Sequence, residues 1–159
     1  MQERSVLVTH LRLYMTRHAA CQMFRYAWAA PNTALGLSFG LIGWLFGARA
    51  RFNDGTVEFY GGRLLHRAGL LPPRFSFCAI TFGHVILAEN QATLAAVRAH
   101  EEVHVRQYER WGPFFVPAYL LSSLAQVICG GNPYRDNCFE RQAYESDATR
   151  EQLSHSTRE

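Results

Sequence analysis

The sequence contains no lysine, so all sixteen of its basic residues are arginine, set against thirteen acidic ones. A net charge of +3 on 159 residues is too mild to call for nucleic acid, which is not an expected partner. The missing lysine points to coding bias more than to chemistry, although scattered arginine also suits anionic lipid headgroups. The four cysteines show no CxxC pairing, which argues against a cysteine-ligated structural zinc or a thioredoxin-type redox pair. Cys129 and Cys138 flank a Gly130-Gly131-Asn132-Pro133 loop, and two readings stand for them: a disulfide in an oxidising compartment, or two small buried thiols. Repeats and low-complexity segments are absent as well. What is present is apolar: 48% of the chain, with 13% aromatic, fits one globular unit with surface to spare for burial or for lipid.

Residues 1–22 are polar and basic, with Arg4, Arg12 and Arg17, and carry no legible role; Met23 is an alternative start. From Tyr26 to Ala48, between Arg25 and Arg49, no charged residue occurs, a run long enough to cross a bilayer as a helix. Pro31 would be tolerated in its first turn. Gly36, Gly40, Gly43 and Gly47 form two GxxxG rows that would let a partner helix approach closely. Three readings compete: a retained helix in a bacterial cell membrane, a signal peptide ending at Ala48-Arg49-Ala50, and a buried soluble helix. The first is preferred, because the run is longer than a signal core and its glycines weaken a water-soluble helix.

Strand signals follow. Ala50–Phe52 and Thr56–Tyr60 are joined by Asn53-Asp54-Gly55, whose Asp-Gly pair supplies the positive φ angles of a tight hairpin turn. A loop with Pro72 and Pro73 precedes two short runs, Phe77–Phe82 and His84–Ala88, separated by Gly83. A small antiparallel sheet is expected. Asn90 is placed to cap a helix from Gln91 to Arg110, stopped by Trp111-Gly112-Pro113. A second uncharged run, Trp111 to Tyr134, holds a helix from Pro117 to Cys129, too short at roughly 20 Å to span a bilayer unaided. A last helix runs from about Asp136 to Leu153, before a polar tail over 154–159.

His100-Glu101-Glu102-Val103-His104 reads HExxH on the first of these helices. Residues four apart share a helix face, so His100 and His104 can present nitrogens to one tetrahedral Zn²⁺. Glu101 then stands beside the metal without ligating it, where it can take a proton from bound water as general base. A catalytic zinc needs a third protein ligand and an open position. Candidates are Glu140, Glu145, Asp147 and His84. Tyr108 and Trp111 continue the same face and read as core packing, while Arg106, Glu109 and Arg110 read as a solvated or interfacial charged face.

Glu140 is followed three positions later by Ala143, and HExxH with a later ExxA resembles the gluzincin class of zinc metallopeptidases. The stretches His100–Gly112 and Asn137–Tyr144 are also similar to those of a group of small bacterial proteins, over Phe24 to Tyr144. The resemblance implies His100, His104 and Glu140 as ligands and Glu101 as base. It further implies a strand edge beside the active helix that holds a peptide substrate by β-addition, where His84 could lie. Two departures stand out. Cys138 replaces a usual proline, and Tyr144 replaces an Asp that often supports a ligand histidine, for which Asp136 and Asp147 are substitutes. Tyr144 and Tyr134 are candidate oxyanion donors.

The expectation is therefore an α+β fold. A minimal zincin-like domain over 50–153, with its sheet, HExxH helix, apolar helix and Glu-bearing helix, is tethered by a membrane segment over 23–49. The expected function is zinc-dependent hydrolysis of a peptide or protein substrate at a membrane. The alternatives are a zinc-binding protein without peptidase activity and a membrane scaffold with a fortuitous HExxH.

Overall fold

The structure, a computed structural model, describes residues 2–69 and 78–156, with side chains described for 19–66, 78–150, 152 and 156. The Pro72-Pro73 loop, Phe77 and the end of the polar tail lie outside the described residues, as do the side chains of Arg4, Arg12 and Arg17.

The chain is α+β. Asp54 (φ 40°) and Gly55 (φ 82°) make the expected tight turn between β1 (Arg49–Asn53) and β2 (Thr56–Tyr60). A second two-residue turn, Gly83-His84, joins β3 (Ala79–Phe82) to β4 (Val85–Ala88). The four strands are ordered β1-β2-β4-β3, and β2 pairs with β4 in parallel. The sheet is thus mixed, and not the antiparallel one expected. All four residues of β4 are buried, Val85 and Leu87 towards one layer and Ile86 and Ala88 towards the other. A strand apolar on both faces belongs at the centre of a sheet. Putting β4 there sends β3 to the edge, with α2 (Gly62–Gly69) on the path between the hairpins.

Asn90 caps α3 (Gln91–Trp111) as expected, its side-chain oxygen accepting the Thr93 N–H at 2.9 Å. α3 packs on the sheet through Leu94 and Val105 against Ile86 and Ala88. Glu58, fully buried on β2, fastens the same layer: Arg98 of α3 donates to it at 2.8 Å, and Arg51 of β1 also donates. The chain turns at Gly112 (φ 56°), passes through Pro113 and enters α4 (Phe115–Ile128), so Pro117 sits inside the first turn where its missing N–H costs no bond. Gly130 (φ 76°) ends that helix, as expected. Asn137 caps α5 (Cys138–Ser156) by accepting the Phe139 N–H at 2.9 Å. Tyr108 packs in the core between α3, α4 and α5, its ring 4.2 Å from Phe115, whereas Trp111 is 42% exposed.

The N-terminal helix departs most from expectation. α1 runs from Gln2 to Leu45, so Pro31 lies inside it and not in its first turn. Its buried stripe is made of small and polar residues: Ala29, Asn32, Gly36, Gly40 and Gly43. At Gly36 and Gly40 the glycine row faces the chain's own sheet, and at Gly43 it faces Ala48 and, on α2, Leu65. A Cβ on Gly36 would collide with Phe82 and Val85, and one on Gly40 with the Phe59 ring, so the chain's own sheet occupies the groove. Leu35, Phe39, Leu41, Ile42, Trp44, Leu45 and Phe46 point outward instead. α1 is therefore buried along one stripe and exposed on the rest of its surface. Among the described residues, however, the helical stretch long and apolar enough to cross a membrane is Gln91–Ile128, and only 11% of its apolar window is buried. The glycines, Pro31 and Asn32 dilute the apolar character of α1, and the denser apolar run belongs to α4.

Candidate metal centre

Helical spacing alone brings His100 and His104 together on α3, their rings 5.0 Å apart and close to perpendicular. The third member comes from α5. Glu140 lies in its first turn, 3% exposed, with Oε2 3.3 Å from His100 Nε2 and Oε1 3.5 Å from His104 Nε2. One donor atom from each of the three residues falls within 4.8 Å of the others, and the group could hold a metal ion.

The remaining nitrogens are engaged. His100 Nδ1 lies 3.0 Å from Asp147 Oδ2, and His104 Nδ1 lies 2.8 Å from Gln107 Oε1. Because Gln107 donates its own N–H groups to the Phe139 carbonyl and to Gln142, its oxygen must be the atom facing His104. Nδ1 of His104 is then the nitrogen that donates to Gln107, and Nε2 is the one aimed at Glu140. Tyr119 of α4 donates to Glu140 Oε1 at 2.8 Å.

Glu101 is buried beside this group, and Thr81 of β3 donates to its Oε2 at 2.7 Å. Burial pushes the Glu101 carboxyl above its ordinary value, against the pull of His104, the Thr81 hydroxyl and His100. The Glu140 carboxylate raises the His100 imidazole above its usual value, and Asp147 assists, although burial works the other way. Glu140 itself is raised by burial, but His100, His104 and Tyr119 outweigh this and hold it below the usual carboxylate range.

The other sequence candidates separate cleanly. Asp147 meets His100 Nδ1 and lies outside the group of three, taking up one turn later the contact that the resemblance assigns to position 144. Tyr144 packs against His100 with its ring tilted by 53° and the centroids 4.9 Å apart. Asp136 is remote from the histidines in its contacts; it accepts the Asn132 N–H at 2.7 Å and shapes the loop before α5. Glu145 is exposed, and Cys129 and Cys138 are exposed free thiols, neither bonded nor buried. His84 lies between β3 and β4 and not on a strand. It is buried in the β3–β4 turn under Tyr26, with Nε2 3.3 Å from Glu109, which also meets Arg25; Glu109 is thus no part of a solvated face.

Sequence reading missed Gln107, Thr81 and Tyr119. Gln107 stands three residues after His104, a spacing that puts it on the same face, and that signal was available. Thr81 and Tyr119 reach the site only through the sheet and the turn at Gly112. The chain matches no family model, no curated protein and no solved structure.

Proposed function

We propose that the chain is a membrane-associated zinc metallopeptidase in which His100, His104 and Glu140 hold the metal and Glu101 is the general base. The observation that carries this reading is the aim of two imidazole Nε2 atoms at one carboxylate, 3.3 and 3.5 Å away, with both Nδ1 atoms engaged elsewhere. These separations are longer than the ~2.7–2.9 Å of a charge-assisted hydrogen bond. They match the ~3.3 Å that separates two ligands on a tetrahedral zinc with bonds of about 2.0–2.1 Å. Two histidines and a carboxylate are also a donor set that zinc takes in hydrolases.

When bound, zinc polarises a carbonyl and lowers the pKa of a coordinated water towards neutrality. The chain's own contribution is proton handling and placement. Glu101, with its raised carboxyl pKa and one oxygen held by Thr81, suits removal of a proton from water and its return to the leaving amine. β3, at one edge of the described sheet and bearing Thr81, offers a free backbone edge for an extended peptide beside Glu101.

Membrane association is supported by the inverted packing of α1, small residues inward and large apolar ones outward, and by the exposed apolar face of α4. Metal analysis of the purified protein tests the ligand set. About one zinc per chain, reduced strongly in Glu140→Ala, is expected; full zinc retention in that variant would remove Glu140 from the site.

A further inference from the structure

α4 has two faces with opposite duties. Its inner face builds the metal centre: Tyr119 donates to Glu140, Phe115 packs beside the His104 ring, and Ser123 accepts from Asn137, the cap of α5, at 2.7 Å. Its outer face is bare and apolar, with Leu120, Leu121, Leu124, Val127 and Ile128 between 53% and 77% exposed. The uncharged run containing it is bounded by exposed Arg110 and Arg135, placed to meet lipid phosphates at either end. At 14 residues the helix is about 21 Å long, short of a bilayer core of ~30 Å. The helix before it, α3, carries Glu102, Arg106 and Arg110, charges that set it apart from the uncharged α4. A helix of this length with one exposed apolar face, in an uncharged run flanked by arginine, suits the membrane interface, its apolar face among the acyl chains.

We propose that α4 is an interfacial lipid-docking helix, and that the substrates are membrane-anchored polypeptides cut in the extended segment next to their anchor. This rests on the peptidase reading above and names its substrate class. Since α4 itself forms one wall of the centre, a single helix diameter, about 10–12 Å, separates the candidate metal site from lipid. An extended chain covers that distance in three to four residues at ~3.3 Å each. A peptide held at the bilayer beside α4 is therefore concentrated within a few residues' length of the site, whereas a freely dissolved peptide must find the site unassisted.

The test uses the full zinc-loaded chain on vesicles of phosphatidylcholine and phosphatidylglycerol. A randomised twelve-residue peptide library is offered either free or linked at one end to phosphatidylethanolamine. The expected result is at least tenfold faster cleavage of the linked library, with cuts concentrated in the residues nearest the lipid. The double variant Leu121→Glu, Leu124→Glu should leave the vesicles and lose that advantage while keeping its zinc, its helical circular dichroism and its rate on the free library. Equal rates on both libraries, or cuts spread evenly along the linked peptides, overturn the substrate class and leave the peptidase reading standing. Loss of cleavage of both libraries by zinc-loaded wild type overturns the peptidase reading, and the substrate class with it.

Discussion

Asp147 Oδ2 lies 3.0 Å from His100 Nδ1, across 47 positions of sequence, and the bond turns His100 Nε2 towards Glu140. Gln107 does the same for His104 from within its own helix. Supports of this kind are worth 10–100-fold in metal affinity. Asp147→Ala and Gln107→Ala should each weaken zinc binding by about that factor in a chelator competition. Affinities equal to wild type would show that neither residue orients a ligand.

The pH dependence follows from the same contacts. His100 is raised above its ordinary 6.5, so in the metal-free protein the stability from its proton is fully present below 6.5 and is lost as pH rises through the raised value. Glu101, raised above 4.5 by burial, acts in the same direction. Glu140, lowered below 4.5, contributes stability present above 4.5 and lost as pH falls through its lowered value. Metal-free protein should therefore lose thermal stability as pH rises from 6.5 through the raised His100 value. Zinc requires an unprotonated His100 nitrogen, so the rise in melting temperature on adding zinc should be larger at pH 8 than at pH 6. A zinc-induced shift independent of pH would contradict protonation of His100 in the metal-free site.

The glycines of α1 separate two kinds of position. Alanine normally stabilises a helix by about 1 kcal/mol relative to glycine, but a Cβ at Gly40 enters the space of the Phe59 ring. Overpacking of that kind costs ~1–3 kcal/mol, so Gly40→Ala should be destabilising on balance. A Cβ at Gly43 meets only ordinary contacts, 3.6 Å to Ala48 and 3.7 Å to Leu65, so Gly43→Ala should be neutral or stabilising. Denaturant unfolding in mild detergent measures both, and the same sign at the two positions would argue against the packing of α1 on β2.

Glu58 offers a separate check on how α3 is held. Arg98→Ala leaves a fully buried carboxylate with Arg51 as its remaining partner, and breaking one side of such a group costs about 3 kcal/mol. Denaturant unfolding should show a loss of that order, and a loss below ~0.5 kcal/mol would mean that Glu58 stays solvated.

Much of this site was legible in the sequence because its parts are local. His100, Glu101 and His104 need only helical periodicity, whereas Glu140 was favoured over Glu145, Asp147 and His84 only through the resemblance that it shares with Ala143. Asn90, Asp54-Gly55 and Gly130 acted as their chemistry dictates. What was not legible depends on distant chain. Nothing in the four residues of β4 says that it inserts between β2 and β3; that follows from covering both of its faces at once. The GxxxG rows fit a helix partner and a sheet equally well until Phe59 and Val85 are placed against them. His84 looked like an edge residue because the position of α1 over the β3–β4 turn cannot be read from either segment alone.

Zinc-dependent hydrolysis with Glu101 as base is tested most directly by comparing wild type with Glu101→Gln on the same peptide library, with metal content measured in both. Both proteins should hold about one zinc per chain, and hydrolysis should fall by a factor of roughly 10²–10⁴ in the variant. Equal hydrolysis by the two zinc-loaded proteins would contradict the assignment of Glu101, and no hydrolysis by either would contradict the peptidase itself.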